Sequence, residues 1–207
     1  KGLICAKMNA LVDPGIIEAL YDGSMAGVVI DLLVRGTCSL RPGLPGISEN
    51  ISVRSIVGRY LEHSRIYWFG NGGEPEVYLS SADWMERNMD RRVELLFPIE
   101  DESLRRRVEE ILFIYASDTQ KARFMNADGV YRKRDRRRKK GPGTGKGTGV
   151  VCPVQPEAFT DKLVSELREQ HGTRLEAQAL FMTLAARADE RARQQGRGLG
   201  AIPGPVS

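Results

Sequence analysis

The 207-residue sequence has two histidines, and one of them, His63, stands in LEHSRIYWFGNGGEPEVYLSSADWMERN, residues 61–88. An imidazole at the end of an element can attack phosphorus when neutral, or hand a proton to a leaving oxygen when cationic. Two residues on, Arg65 carries the guanidinium fork that takes two phosphate oxygens at once, and Ser80 and Ser81 carry hydroxyls for others. Alternate residues of paired strands share a face, so a strand and its returning partner would set these groups beside the imidazole. That arrangement suits a phosphate group. The competing reading makes His63 a half-buried packing residue at a helix end. His171 reads as a surface residue outside any chemistry.

The elements that must position these groups read as an α/β body. GLICAKMN is a short apolar strand, Asp13 is the predicted N-cap of a helix with Pro14 at its first position, and Gly27 closes that helix. VVIDLLVRG is β-branched and nearly all apolar, as a parallel strand covered on both faces must be. Such a unit brings the carboxyl ends of both strands to one sheet edge, where open α/β sheets bind ligands, and Lys7, Asn9 and Arg35 fall at those ends. CSLRPGLPGISEN is a loop. The spacing of Val53, Ile56, Val57, Tyr60 and Leu61 predicts an amphipathic helix ending near His63. RIYWF and VYLSS form a predicted hairpin around GNGGEPE, and RRVELLFPI supplies another strand. In DESLRRRVEEILFIYASDTQKARFM, a capping acid opens a long helical pattern. Trp68 and Trp84 read as core or pocket-wall residues.

Beyond this body, residues 1–131, the character changes. RKRDRRRKK, residues 132–140, has a charge of +7 within a chain of net charge +4, which leaves −3 for all other residues. It leads into GPGTGKGTG, too rich in glycine for a packed element, so residues 132–156 read as a basic, Gly-rich linker and 157–207 as a helical tail. In the tail, EAFTDKLVSELREQ and TRLEAQALFMTLAARADERARQQ have helical spacing, and Thr173-x-x-Glu176 is a capping box for the second. The Gly-Lys-Gly of the linker lacks the Gly-Lys-Ser/Thr of a P-loop and an apolar strand before it. A hydrophobic content of 41% is enough for a sizeable core. The absence of a long apolar run or secretory pattern leads to the expectation of a cytoplasmic protein without a transmembrane segment. Cys5, Cys38 and Cys152 form no Cys-x-x-Cys pair and read as reduced structural residues.

His63-Ser-Arg65 resembles the His-x-Lys part of the phospholipase D superfamily motif, and SSADWMERN resembles the Gly-Ser-x-Asn segment that follows it. The sequence departs from that motif where Arg65 replaces lysine and Gly70 stands at the place of the acid. Together with NALVD (residues 9–13), DLLVRGTCSL (31–40), ISVRSIVGRYLEHSRIYWF (51–69) and NGGEPEVYLSSADWMERNMDRRVE (71–94), the chain up to about Arg123 resembles the C-terminal part of the bacterial polyphosphate kinases. The resemblance implies a phospholipase-D-like mixed sheet flanked by helices. It implies reversible transfer of the terminal phosphate of ATP to polyphosphate, through a phosphohistidine on an upstream domain that this chain lacks. His63 then corresponds to a second essential histidine at the nucleotide phosphates, acting as acid/base or orienting group, and Arg35 to an ATP-contacting arginine, with Arg65 as a further phosphate contact. Lys7, Asn9, Ser80, Ser81, Asn88 and Arg92 are additional candidate contacts. Magnesium is implied as cofactor with its ligands upstream. The implied partners are ATP or ADP, polyphosphate, the upstream domains and further copies in a homo-oligomer, with no obligate nucleic acid.

Two other functions fit parts of the sequence. RKRDRRRKK could make the chain a non-catalytic polyanion-binding module acting by counterion release. Two copies of the single motif could assemble a homodimeric phosphodiesterase.

Overall fold

In the computed structural model, residues 2–133 and 176–194 are described. The opening is strand, helix, strand as expected: β1 (Leu3–Met8), α1 (Pro14–Met25) and β2 (Val29–Val34), with Leu3 opposite Val29 and Met8 opposite Val34 in parallel register. Asp13 caps α1, its Oδ1 accepting from the Ile16 N–H at 2.9 Å, and Gly27 leaves the helix with φ +88. The strands that follow are β3 (Ile51–Ser55), β4 (Ile66–Phe69), β5 (Glu76–Ser80) and β6 (Leu96–Pro98), with the short α2 (Glu86–Asp90) between the last two. Then come α3 (Glu102–Ala116), β7 (Arg123–Met125), β8 (Tyr131–Arg132) and α4 (Ala177–Gln194). The eight strands form one sheet in the order β6-β5-β4-β1-β2-β3-β7-β8. β1, β2 and β3 run parallel at its centre, and antiparallel strands extend both wings.

Both faces of the central strands are covered, which is why β1 and β2 carry apolar residues in succession rather than in alternation. On one face Met8, Leu32, Val34 and Tyr67 pack with Leu20 of α1. On the other, Cys5, Leu33, Trp68 and Val77 pack under Leu112 and Tyr115 of α3 and under Ala177 and Leu180 of α4. Helix α4 comes from the stretch that composition sets apart as a tail, yet it shares this core. The basic run from residue 134, the linker, the first tail helix and His171 lie outside the described residues, so the predicted helical pair is seen only in its second member.

Two local expectations fail. The helix expected before His63 is instead β3, followed by ten residues, 56–65, without regular structure. Ile51 and Val53 are buried in parallel pairing with Ile30 and Leu32, whereas Val57, Tyr60 and Leu61 are exposed, so the helical spacing marks no buried face. Gly58 further weakens a helix there. The helical pattern begun by Asp101 also stops early, at Ala116. Asp118 then accepts the backbone N–H groups of Gln120, Lys121 and Ala122 in a turn that feeds the β7–β8 hairpin.

A buried ion pair ties two central strands to a helix. Arg54 Nη2 bonds Asp31 Oδ2 with both side chains 1% exposed, and Arg54 Nη1 donates to the Ala116 carbonyl at 2.6 Å. β2, β3 and the C-terminus of α3 are thus fastened at one point.

Candidate functional site

The carboxyl ends of β1 and β2 are zipped together by the backbone. Arg35 N–H donates to the Met8 carbonyl at 3.1 Å and Gly36 N–H to the Asn9 carbonyl at 2.8 Å. This carries the Arg35 side chain over Asn9, where Nε donates to Asn9 Oδ1 at 3.0 Å. From Asn9 the chain of bonds continues to Asp83, which lies just beyond β5: Oδ1 accepts the Asn9 backbone N–H at 2.7 Å and its Nδ2 at 3.3 Å. The same carboxylate holds Arg65, taking Nε on Oδ1 at 3.2 Å and Nη2 on Oδ2 at 2.9 Å. Arg65 in turn meets His63, Nη1 donating to its carbonyl at 3.0 Å and lying 3.0 Å from Nδ1. Nη2 lies 3.4 Å from Nε2, so the guanidinium is set against both nitrogens of the ring.

Arg35 and His63, widely separated in sequence, are therefore joined by one continuous relay through Asn9, Asp83 and Arg65. Nη1 and Nη2 of Arg35 have no hydrogen-bond partner among the described residues, and His63 is exposed, so both ends of the relay can meet a ligand. Burial works to raise the Asp83 carboxyl, but the bonds from Arg65 and Asn9 outweigh it and hold it below the usual carboxylate range. Asp83 was absent from the candidates read from the sequence. It supplies, from the far side of the hairpin, a carboxylate partner for Arg65 where the linear motif has Gly70.

Lys7 and Asn9 lie beneath this surface. Lys7 is 4% exposed, and its Nζ donates to the Ser64 carbonyl at 3.1 Å and to Ser64 Oγ at 2.9 Å while sitting 4.8 Å from the centre of the Tyr115 ring. Burial pushes this ammonium down to about 8, against an opposing pull from Glu62. Lys7 is thus a strut under the His63 segment.

The other candidates gather one strand further out, around Glu94. Ser81 Oγ and Asn88 Nδ2 both bond the Glu94 carboxylate, which their bonds hold below its ordinary range. Ser80 Oγ donates to the Leu95 carbonyl at 2.8 Å and accepts from the Ala82 N–H at 2.9 Å. Arg92 is exposed and reaches Glu94 at 3.9 Å. Beside them lies a cavity of about 560 Å³, walled by Tyr67 and Trp84, whose rings stack at 4.8 Å, and edged by Ser80, Asn88, Arg92 and Glu94. The two serine hydroxyls and the Asn88 amide thus bond local partners, while the Ser80 N–H joins this group to the His63 segment by donating to the Arg65 carbonyl at 3.3 Å. Trp68, for its part, is a core residue whose Nε1 donates to Glu109 at 2.9 Å.

A sequence model described as polyphosphate kinase C-terminal domain 2 matches residues 1–143. The chain belongs to the polyphosphate kinase family. It is 61% identical to a polyphosphate kinase of Burkholderia vietnamiensis over 132 residues, which are 63% of this chain and 19% of that one. With a polyphosphate kinase of Pseudomonas aeruginosa it shares 59% identity over 130 residues, with the same coverage of each chain. The crystal structure of polyphosphate kinase from Porphyromonas gingivalis is similar with a TM-score of 0.64 and 40% identity, over 82% of this chain and 24% of that one. The chain thus spans about a fifth of the length of the curated polyphosphate kinases it matches. Its structural likeness covers more of it than the stretch matched by the family's sequence model.

Proposed function

We propose that the chain is the nucleotide-phosphate half of a polyphosphate kinase, built on a phospholipase-D-like sheet, which works with other domains to move the terminal phosphate of ATP reversibly onto polyphosphate. The observation that supports this is the relay Arg35–Asn9–Asp83–Arg65–His63, which presents a free guanidinium edge and an exposed imidazole at the carboxyl ends of the parallel strands. Phosphoryl transfer spreads negative charge over the transferring oxygens, so donors held in place before the reaction lower its barrier. Arg35 takes phosphate oxygens through Nη1 and Nη2, while Arg65, neutralised by Asp83, holds the exposed His63 ring in place. His63 then donates a hydrogen bond or a proton to a phosphate oxygen, and the covalent phosphohistidine forms on another domain of the longer polypeptide.

Magnesium is the cofactor the resemblance implies, but the donors at this site are guanidinium, imidazole and amide, and Asp83 already has its cationic partner. Among the described residues no group of three His, Cys, Asp or Glu side chains could hold a metal ion. We propose, as the resemblance implies, that the ion is held by other domains. None of the described helices is long and apolar enough to cross a membrane, and the cytoplasm is the compartment we propose for a kinase that draws on ATP.

The test is calorimetric titration of the chain with tripolyphosphate and with ADP. Binding that is lost in both Arg35→Ala and His63→Ala supports the reading. Binding that both variants leave intact sinks it, as would turnover of ATP and polyphosphate by this chain alone at the rate of the whole enzyme.

A further inference from the structure

We propose that Gln178, on α4, is a positioning residue for His63, a reading that rests on the phosphate site described above. The segment 56–65 has no helix or strand of its own, so its backbone is held largely by side chains. Gln178 supplies the most complete of these ties. Its Oε1 accepts the Tyr60 N–H at 3.1 Å, and its Nε2 donates to the Tyr60 carbonyl at 2.9 Å and to Glu62 Oε1 at 3.0 Å. One amide thus satisfies both backbone groups of one residue and the carboxylate of another, from 118 positions away in the sequence.

The tie leads directly to the imidazole. The other Glu62 oxygen accepts the Tyr115 hydroxyl, the Tyr115 ring lies against the Lys7 ammonium, and Lys7 holds Ser64 by its carbonyl and hydroxyl. Both chain neighbours of His63 are therefore fixed to one buried cluster, and Gln178 is the member of it contributed by α4. The helix is seated firmly enough to do this. Ala177 N–H donates to Asp118 Oδ2 at 2.8 Å, Ala177 and Leu180 are buried, and Phe181 packs on Tyr115 with ring centres 5.0 Å apart.

Gly58 shows how closely the two parts fit. A methyl group at position 58 would overlap the Gln178 amide, which is the movable end of a flexible side chain. Gly58→Ala should therefore push the amide off Tyr60 and Glu62 while leaving α4 seated through Ala177 and Asp118. The two substitutions break the same tie from opposite sides, so together they should do little more than either alone.

The experiment measures amide hydrogen exchange, the His63 ring signals by NMR and tripolyphosphate affinity in the full 207-residue chain and its Gln178→Ala, Gly58→Ala and double variants. Expected are exchange at Tyr60 faster by about tenfold, a shifted His63 ring signal and affinity weaker by about tenfold, the scale of one lost hydrogen bond. Protection at Ala177 reports on the seating of α4; if Gln178→Ala abolishes it, Gly58→Ala decides. Unchanged His63 signals and affinity in Gly58→Ala, with Tyr60 exchange increased, would overturn the positioning role. His63→Ala and Arg35→Ala are titrated alongside. If they bind tripolyphosphate normally, the phosphate site falls, and the His63 ring signal in the Gly58 and Gln178 variants still decides the clamp. If they lose it and the clamp variants do not, only the clamp falls.

Discussion

Asp83 grips Arg65 at two points, Oδ1 to Nε at 3.2 Å and Oδ2 to Nη2 at 2.9 Å, with the side chains 8% and 11% exposed. The pair spans the β4–β5 hairpin and sets the guanidinium that His63 leans on, while Asn9 ties the same carboxylate to Arg35. A charge pair of this kind contributes orientation more than stability, because much of the Coulomb attraction offsets the cost of leaving water.

Removing the acid should expose that role. Asp83→Ala leaves Arg65 unpaired and half-buried and should destabilise the fold by about 3 kcal/mol in denaturant unfolding. The effect depends on pH in a defined direction. The folded-state value of Asp83 is depressed, so its contribution is present above the ordinary carboxylate value near ~3.9 and is lost as pH falls through the lower folded value. The stability gap between wild type and Asp83→Ala should therefore close on acidification below about pH 4. A gap that persists unchanged at pH 2 would contradict the pairing.

The buried pair Asp31–Arg54 should behave as a coupled unit. Arg54→Leu strands Asp31 in the core and frees the Ala116 carbonyl, a loss of about 3–5 kcal/mol, whereas adding Asp31→Leu removes the orphaned charge. The double variant should then be more stable than Arg54→Leu alone in urea unfolding. Additive losses would mean that the two side chains act independently.

Much of this was legible in the sequence because local signals agreed with tertiary demand. Asp13 and Pro14 announced α1, the nearly all-apolar run of β2 announced a strand covered on both sides, and the β4–β5 hairpin showed in its glycine-rich turn. That placed Arg35 and Asn9 together at the strand ends. What misled was Val53 to Leu61, whose helical spacing arises by coincidence when a buried strand runs into an exposed segment. Asp83 was missed because its partners are fixed by the hairpin's return and by β1, not by neighbours in sequence. Gln178 carried no signal at all: an amide on an amphipathic helix reads as solvent-facing until the segment it ties is seen.

Lys7 offers a test in alkaline solution. Burial lowers its folded-state value to about 8 from 10.5, so between those limits the unfolded chain binds more protons than the folded one. The penalty of burying the charge is fully present below pH 8 and is relieved as pH rises towards 10.5, on the order of 3 kcal/mol in all. Lys7→Met, which keeps the length of the side chain without the charge, should flatten that rise in stability. The field at Lys7 also includes Glu62, Asp83, Arg35 and Arg65, so the comparison is made against wild type at each pH.

Arg35 is the residue on which the proposed chemistry presses hardest. Its Nε is held by Asn9, which leaves the two terminal nitrogens pointing onward as a ready fork. Lysine cannot reproduce that geometry, having one ammonium where the guanidinium has a planar set of donors. Arg35→Lys should therefore resemble Arg35→Ala more than wild type, with tripolyphosphate affinity reduced by roughly tenfold or more. In a whole polyphosphate kinase carrying this segment, Arg35→Ala should lower the rate of phosphoryl transfer by about 10² to 10³, the usual cost of one donor to developing negative charge. Asn9→Ala should give a smaller loss, because it frees the Arg35 side chain without deleting it. If Arg35→Lys bound and turned over like wild type, a point charge would suffice at this position, and the relay through Asn9 would have no part in aiming it.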